Sequence, residues 1–120
     1  MNMKVIIAGS RDFSNYPLLK QRCDYYLQNH KNVTILCGKA KGADTLGEYY
    51  GIEKKFKIEY YPAKWDIHGK ASGVIRNEEM AKNADALIAF WDGKSKGTEH
   101  MINLAKKHNL KVKVIYYGIY

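Results

Sequence analysis

Four short segments hold the side chains best suited to grip an anion. The first is Gly9-Ser10-Arg11-Asp12. Its glycine allows a sharp turn and a close approach of backbone to ligand, while the serine hydroxyl and arginine fork donate to phosphate or carboxylate. The second, Gly38-Lys39-Ala40-Lys41-Gly42-Ala43-Asp44-Thr45, sets two glycines four apart among lysines. It opens into a helical pattern, and free amides, helix dipole and nearby cations together form an anion site. No Gly-Lys-Ser/Thr closes this segment, so it is not a Walker A loop. Asp44 or Thr45 serves equally well as a helix cap. The third, Trp91-Asp92-Gly93-Lys94-Ser95-Lys96-Gly97-Thr98, is again glycine-rich and enters a helix through Gly97-Thr98. The fourth, Gly73 to Glu78, carries Arg76 and Asn77, with Glu79 three residues on as an alternative partner for Arg76.

The expected ligand-binding set is therefore Gly9, Ser10, Arg11, Gly38, Lys39, Ala40, Gly42, Asp44, Arg76, Asn77, Gly93, Ser95, Gly97 and Thr98. Arg11, Lys39, Lys41, Lys64, Lys70, Arg76, Lys94 and Lys96 all fall in or near these segments, which predicts a cationic crevice. Trp65, Trp91 or a tyrosine is available to stack on a base. Asp44, Glu78, Glu79 and Glu99 are the acid/base candidates near the loops, yet none forms a recognisable dyad, so no catalytic residue is assigned. The histidines (His30, His68, His100, His108) share no metal-ligand spacing with one another or with the cysteines, and no metal site is expected. Cys23 and Cys37 read as free, buried thiols of a reducing compartment, which points to the cytoplasm.

What must position these loops follows from hydrophobic periodicity. β-Branched runs at Lys4–Ala8, Val33–Cys37, Lys57–Tyr61, Ala86–Trp91 and Lys111–Tyr117 read as strands, the first and fourth apolar enough for both-face burial. Helical period occupies Tyr16–His30, Ala43 to about Lys54, Gly73–Ala84 and Thr98–His108, leaving 62–72 irregular. Strict alternation predicts an α/β Rossmann-like fold: a doubly wound parallel five-stranded sheet of order 3-2-1-4-5 with helices on both faces. Its switch point falls between the first and fourth strands, where ligands bind outside the carboxyl ends. With 120 residues the chain fits one domain over 1–120. No apolar run approaches the ~18 residues of a membrane span. The formal net charge of +8 favours anionic partners, nucleotides and nucleic acid among them.

The order GSRDF, CGKAKGAD, GVIRNEEMAKNADALIAFWDG and SKGT resembles the SLOG superfamily, and within it the small stand-alone YspA/YpsA-related group. The likeness runs from Met3 to about Lys107. It implies a nucleotide-type ligand held by the loops after strands one, two and four. The GSR, the G-x-A-x-G-x-D loop and the Arg76-Asn77 pair are similar to DprA (Smf). Lonely-guy phosphoribohydrolases of the same superfamily carry Pro-Gly-Gly-x-Gly-Thr-x-x-Glu. Here Gly97-Thr98 match, Gly93-Lys94-Ser95 replace Pro-Gly-Gly, and Met101 stands at the glutamate. Glu99 and His100 lie ~200° and ~100° around the helix from position 101. The expectation is binding, by sensing or sequestration, of a nucleotide or an ADP-ribose-like derivative. The alternatives are a lonely-guy N-glycosidase and a DprA-like single-stranded DNA binder. Homo-oligomerisation is left open.

Overall fold

The computed structural model describes residues 2–39 and 42–118. Five strands form one parallel sheet: β1 (Asn2–Gly9), β2 (Asn32–Cys37), β3 (Lys57–Tyr60), β4 (Ala86–Trp91) and β5 (Lys111–Tyr116). Their order is β3-β2-β1-β4-β5, as the alternation predicts. Both neighbours of β1 run beside it in register, with Val5 opposite Ile35 on one side and Ala86 on the other.

Period-two alternation divides the core between the two faces. Val5, Ile7, Ile35, Ile88 and Phe90 point to one side and meet Leu19, Cys23 and Leu27 of α1 (Tyr16–Leu27) and Tyr50 of α2 (Ala43–Glu53). Ile6, Ala8, Leu36, Leu87 and Ala89 point to the other. There they meet Met80 and Ala81 of α4 (Ser72–Asn83) and Met101, Ile102 and Ala105 of α5 (Lys96–Lys107). Side chains as fully buried as Ile6, Ile7, Leu36 and Leu87 each contribute roughly 1.5–3 kcal/mol. Both cysteines are free and buried, and burial raises both thiol pKa values, Cys37 to about 11. Among the described residues no helix is long and apolar enough to cross a membrane.

The segment read as irregular contains structure. α3 (Trp65–His68) and a 3-10 turn (Gly69–Ala71) lie within it. The Lys64 carbonyl accepts from the amides of Ile67 and His68, and Ser72 Oγ donates to the carbonyls of Lys64 and Gly69. A four-residue helix has no period for a sequence to display. α1 ends three residues before its expected limit, and α5 begins two before Thr98.

Close backbone approach sets the geometry at the sheet's carboxyl edge. A Cβ on Gly9 would stand 2.2 Å from the Phe90 carbonyl oxygen, and one on Gly47 2.8 Å from Ile7 Cβ. Gly42, just before α2, has φ 76° and ψ −127°, and a Cβ there would lie 2.3 Å from the Ser10 carbonyl oxygen. Gly69 has a similar conformation, φ 56° and ψ −131°, with nothing within 4 Å of an added Cβ. The pair separates backbone strain from collision. Both alanine variants should be destabilised, Gly42→Ala by about 1–3 kcal/mol more than Gly69→Ala, because only the former overpacks. Urea melts measure the difference, and equal losses would refute the collision.

Candidate functional site

Outside the carboxyl ends of β1 and β4, at the switch point, lies a cavity of about 480 Å³. A volume of this size is within the usual range for small-molecule sites. Three of the four sequence segments meet there in strength. The first supplies Gly9, Ser10 and Arg11, the helix α4 segment supplies Arg76 and Asn77, and the entry into α5 supplies Ser95, Gly97 and Thr98. Among the described residues of the second segment, only Asp44 reaches the cavity wall. Gly38, Lys39, Gly42 and Gly93 are not among the lining residues, and Ala40 and Lys41 lie outside the described residues.

Among the described residues the cavity is not lined by the lysines that the charge count brings to these segments. Its described cations are Arg11 and Arg76, and they face Asp12, Asp44 and Asp92. Lys39 turns elsewhere for an identifiable reason. Lys39 Nζ sits 3.3 Å from Glu48 Oε1 and 5.2 Å from the Tyr60 ring centroid. Lys64 lines a different cavity, and Lys70, Lys94 and Lys96 line neither. Counting charge along the chain says which loop a lysine is in, not which way it points.

Arg76 lines the cavity, and its other hydrogen-bond partners are not the one offered by helical spacing. It does not pair with Glu79; Nη1 donates to the Gly38 carbonyl at 2.6 Å and Nε to Asn77 Oδ1 at 2.9 Å. Gly38 thus belongs to the site indirectly, as the anchor of an arginine. Asn77 Nδ2 in turn lies 3.4 Å from His100 Nδ1. Ser10, only 2% exposed, joins the two central loops: its amide donates to the Phe90 carbonyl and its Oγ accepts from the Asp92 amide at 3.4 Å.

Asp92 shapes the third loop, and the sequence reading omitted it from the site. Its Oδ1 accepts from the amides of Lys94 and Ser95 at 2.9 and 2.8 Å, and its Oδ2 accepts from Ser95 Oγ at 3.0 Å. An Asp-Gly pair directly after a strand is the signal that would have found it. Because Ser95 Oγ is committed to Asp92, α5 has no side-chain cap. Its first amides have no intrahelical partner and carry the positive end of the dipole. Trp91 Nε1 donates to the Ser95 carbonyl at 3.0 Å, so its indole braces the loop; neither tryptophan lines the cavity. Asp12, also unassigned from sequence, accepts at 2.7 Å from the Tyr117 hydroxyl, whose pKa is pushed up to about 12, chiefly by burial. Met80 and Met101 form apolar wall, and Met101 is 2% exposed. Among the described residues no cluster of His, Cys, Asp and Glu is arranged to hold a metal.

Hydrogen bonds from the Lys94 and Ser95 amides, ahead of smaller contributions, lower the Asp92 pKa to about 2. A depressed folded-state value stabilises the fold above the unfolded pKa of about 3.9 and loses that stabilisation as pH falls through the folded value. Asp92→Asn should therefore lower the melting temperature at pH 7, with the gap to the parent protein closing between about pH 4 and pH 2. A gap independent of pH would show that the charge is not what holds the loop.

Comparison with known proteins agrees with this architecture. The family described as "YspA, cpYpsA-related SLOG family" matches over residues 3–68, which takes in the Gly9–Asp12 loop, the Gly38–Thr45 loop and α3. The Gene 61 protein of Mycobacterium phage D29 is 32% identical over 116 residues, covering 91% of this chain and 93% of its own length. No solved structure matches the chain. Matched motif order, the five-stranded sheet and near full-length similarity to the phage protein lead to one conclusion: the chain belongs to the YspA, cpYpsA-related SLOG family.

Proposed function

We propose that the chain binds a nucleotide-derived, ADP-ribose-like ligand in the switch-point cavity, as a sensing or sequestering module. One observation carries this reading: the cavity wall combines anion donors with carboxylate acceptors. A bare phosphate needs only donors. A ribose phosphate also presents hydroxyls, which carboxylates accept, as in dinucleotide sites of related topology. Arg11, Arg76 and the uncapped start of α5 at Gly97 and Thr98 would take phosphate, and Asp44 and Asp12 would take ribose hydroxyls. The family to which the chain belongs is one of nucleotide-related binding domains.

Capture is favoured over glycosidic hydrolysis by the wall position of Met101, which carries no proton to transfer. Asp92, held to about pKa 2, stays ionised at neutral pH and is unsuited to general acid chemistry. Incubation with nucleoside monophosphates, followed by chromatography, should release no free base. Single-stranded DNA binding has no observation in its favour beyond net charge and scattered exposed aromatics such as Tyr25, Tyr49 and Tyr116.

Gly97 gives the sharpest test. Nothing lies within 4 Å of a Cβ added there, so the fold itself has no need of glycine. Gly97→Ala should keep or raise stability, by up to about 1 kcal/mol, because alanine is the better helix residue. A phosphate close to the Gly97 amide would nevertheless be pushed away. A saturating nucleotide at 100 times Kd should stabilise the parent protein by about 2.7 kcal/mol, or roughly 3–6 °C. That shift should shrink strongly in Gly97→Ala and in Arg11→Ala. Unchanged shifts in both variants would overturn the placement, and no shift with AMP, ADP-ribose or NAD would overturn the function.

A further inference from the structure

A second cavity, of about 260 Å³, opens on the other side of Arg76, which lines both. Its walls come from the end of β3, from α3 and from α4. Tyr60, Tyr61, Pro62 and Ile75 present flat or apolar surface, a composition suited to a planar ring. Lys64 and His68 bring nitrogen to the rim, and the Glu79 carboxylate is an acceptor for an exocyclic amine. The volume falls below the roughly 300 Å³ at which independent small-molecule sites begin, so the cavity suits one lobe of a ligand better than a whole one.

Arg76 is the element common to both spaces, and its placement is fixed from within. Nη1 and Nε are held by Gly38 and Asn77, which leaves the Nη2 group without a hydrogen-bond partner among the described residues. The smaller cavity owes its shape to α3 and the 3-10 turn, pinned by the Ser72 hydroxyl on the carbonyls of Lys64 and Gly69. Ser72 is 1% exposed. A guanidinium between two cavities, one ribose- and phosphate-like and one ring-like, has the arrangement required by a linked phosphate chain.

We propose that the smaller cavity is a ring subsite of the same ligand. The ligand class is then a nucleoside diphosphate carrying a second moiety, with its pyrophosphate passing Arg76. This rests on the nucleotide reading of the larger cavity and adds to it a reason for two lobes rather than one.

The test titrates AMP and NAD, as one-lobed and two-lobed probes, into the full chain by calorimetry. NAD should bind at least tenfold more tightly, a difference of about 1.4 kcal/mol. Ile75→Trp fills the smaller cavity from a residue already 36% exposed, and Lys64→Glu reverses charge at its rim. Each should weaken NAD binding at least tenfold and leave AMP within about twofold, with melting temperatures confirming the fold. Equal affinity for the two probes, NAD binding indifferent to both variants, or parallel loss of AMP and NAD would overturn the second lobe while nucleotide binding stands. Failure of both probes to bind the parent protein would remove the nucleotide reading, and this proposal with it.

Discussion

The candidate site depends on how closely α2 can sit against the end of β1. At Gly9, Gly42 and Gly47 a single added carbon would occupy space already held by Phe90, Ser10 or Ile7. Interiors packed to crystal-like density cannot absorb such overlaps, so the helix would have to move outward. Asp44, in the first turn of α2, would move with it, and so would the Gly38 segment that holds Arg76. The cavity walls are thus set by helix-to-strand distance before any polar group is considered.

On that frame the polar groups form a linked set rather than a collection of separate contacts. Ser10 ties the β1 loop to Asp92, Asp92 gathers the α5 loop, and the gathered loop leaves the α5 amides open. On the opposite wall Gly38 holds Arg76 and Arg76 holds Asn77. A side chain committed to a neighbour has less rotamer entropy left to lose when a ligand arrives, which lowers the cost of binding. Asp12 is held in the same manner by Tyr117, from beyond β5.

The fold was legible in the sequence because period and alternation are local. The apolar runs at Val5–Ala8 and Ala86–Phe90 announce buried parallel strands, and the sheet order follows from the connection rules. The site was legible only as a set of loops. Gly9, Ser10, Arg11, Asp44, Arg76, Asn77, Ser95, Gly97 and Thr98 gather at one cavity, whereas Lys39 follows Glu48 and Tyr60. Side-chain direction at a long flexible residue is decided by partners distant in sequence, such as Gly38 for Arg76 and Tyr117 for Asp12. α3 escaped notice for a different reason, since one helical turn is too short to show a repeat.

The three carboxylates in the cavity have a consequence for discrimination. A net charge of +8 draws anions toward the molecule over distances up to a Debye length, about 8 Å at physiological salt. At contact the sign is less generous among the described residues: Asp12, Asp44 and Asp92 outnumber Arg11 and Arg76. Under the proposed reading the exterior would work as a funnel and the interior as a sieve. Simple polyanions, with no hydroxyls to offer the carboxylates, would be attracted and then held less well, so solvent-exposed lysines would raise encounter rate without setting the choice of guest.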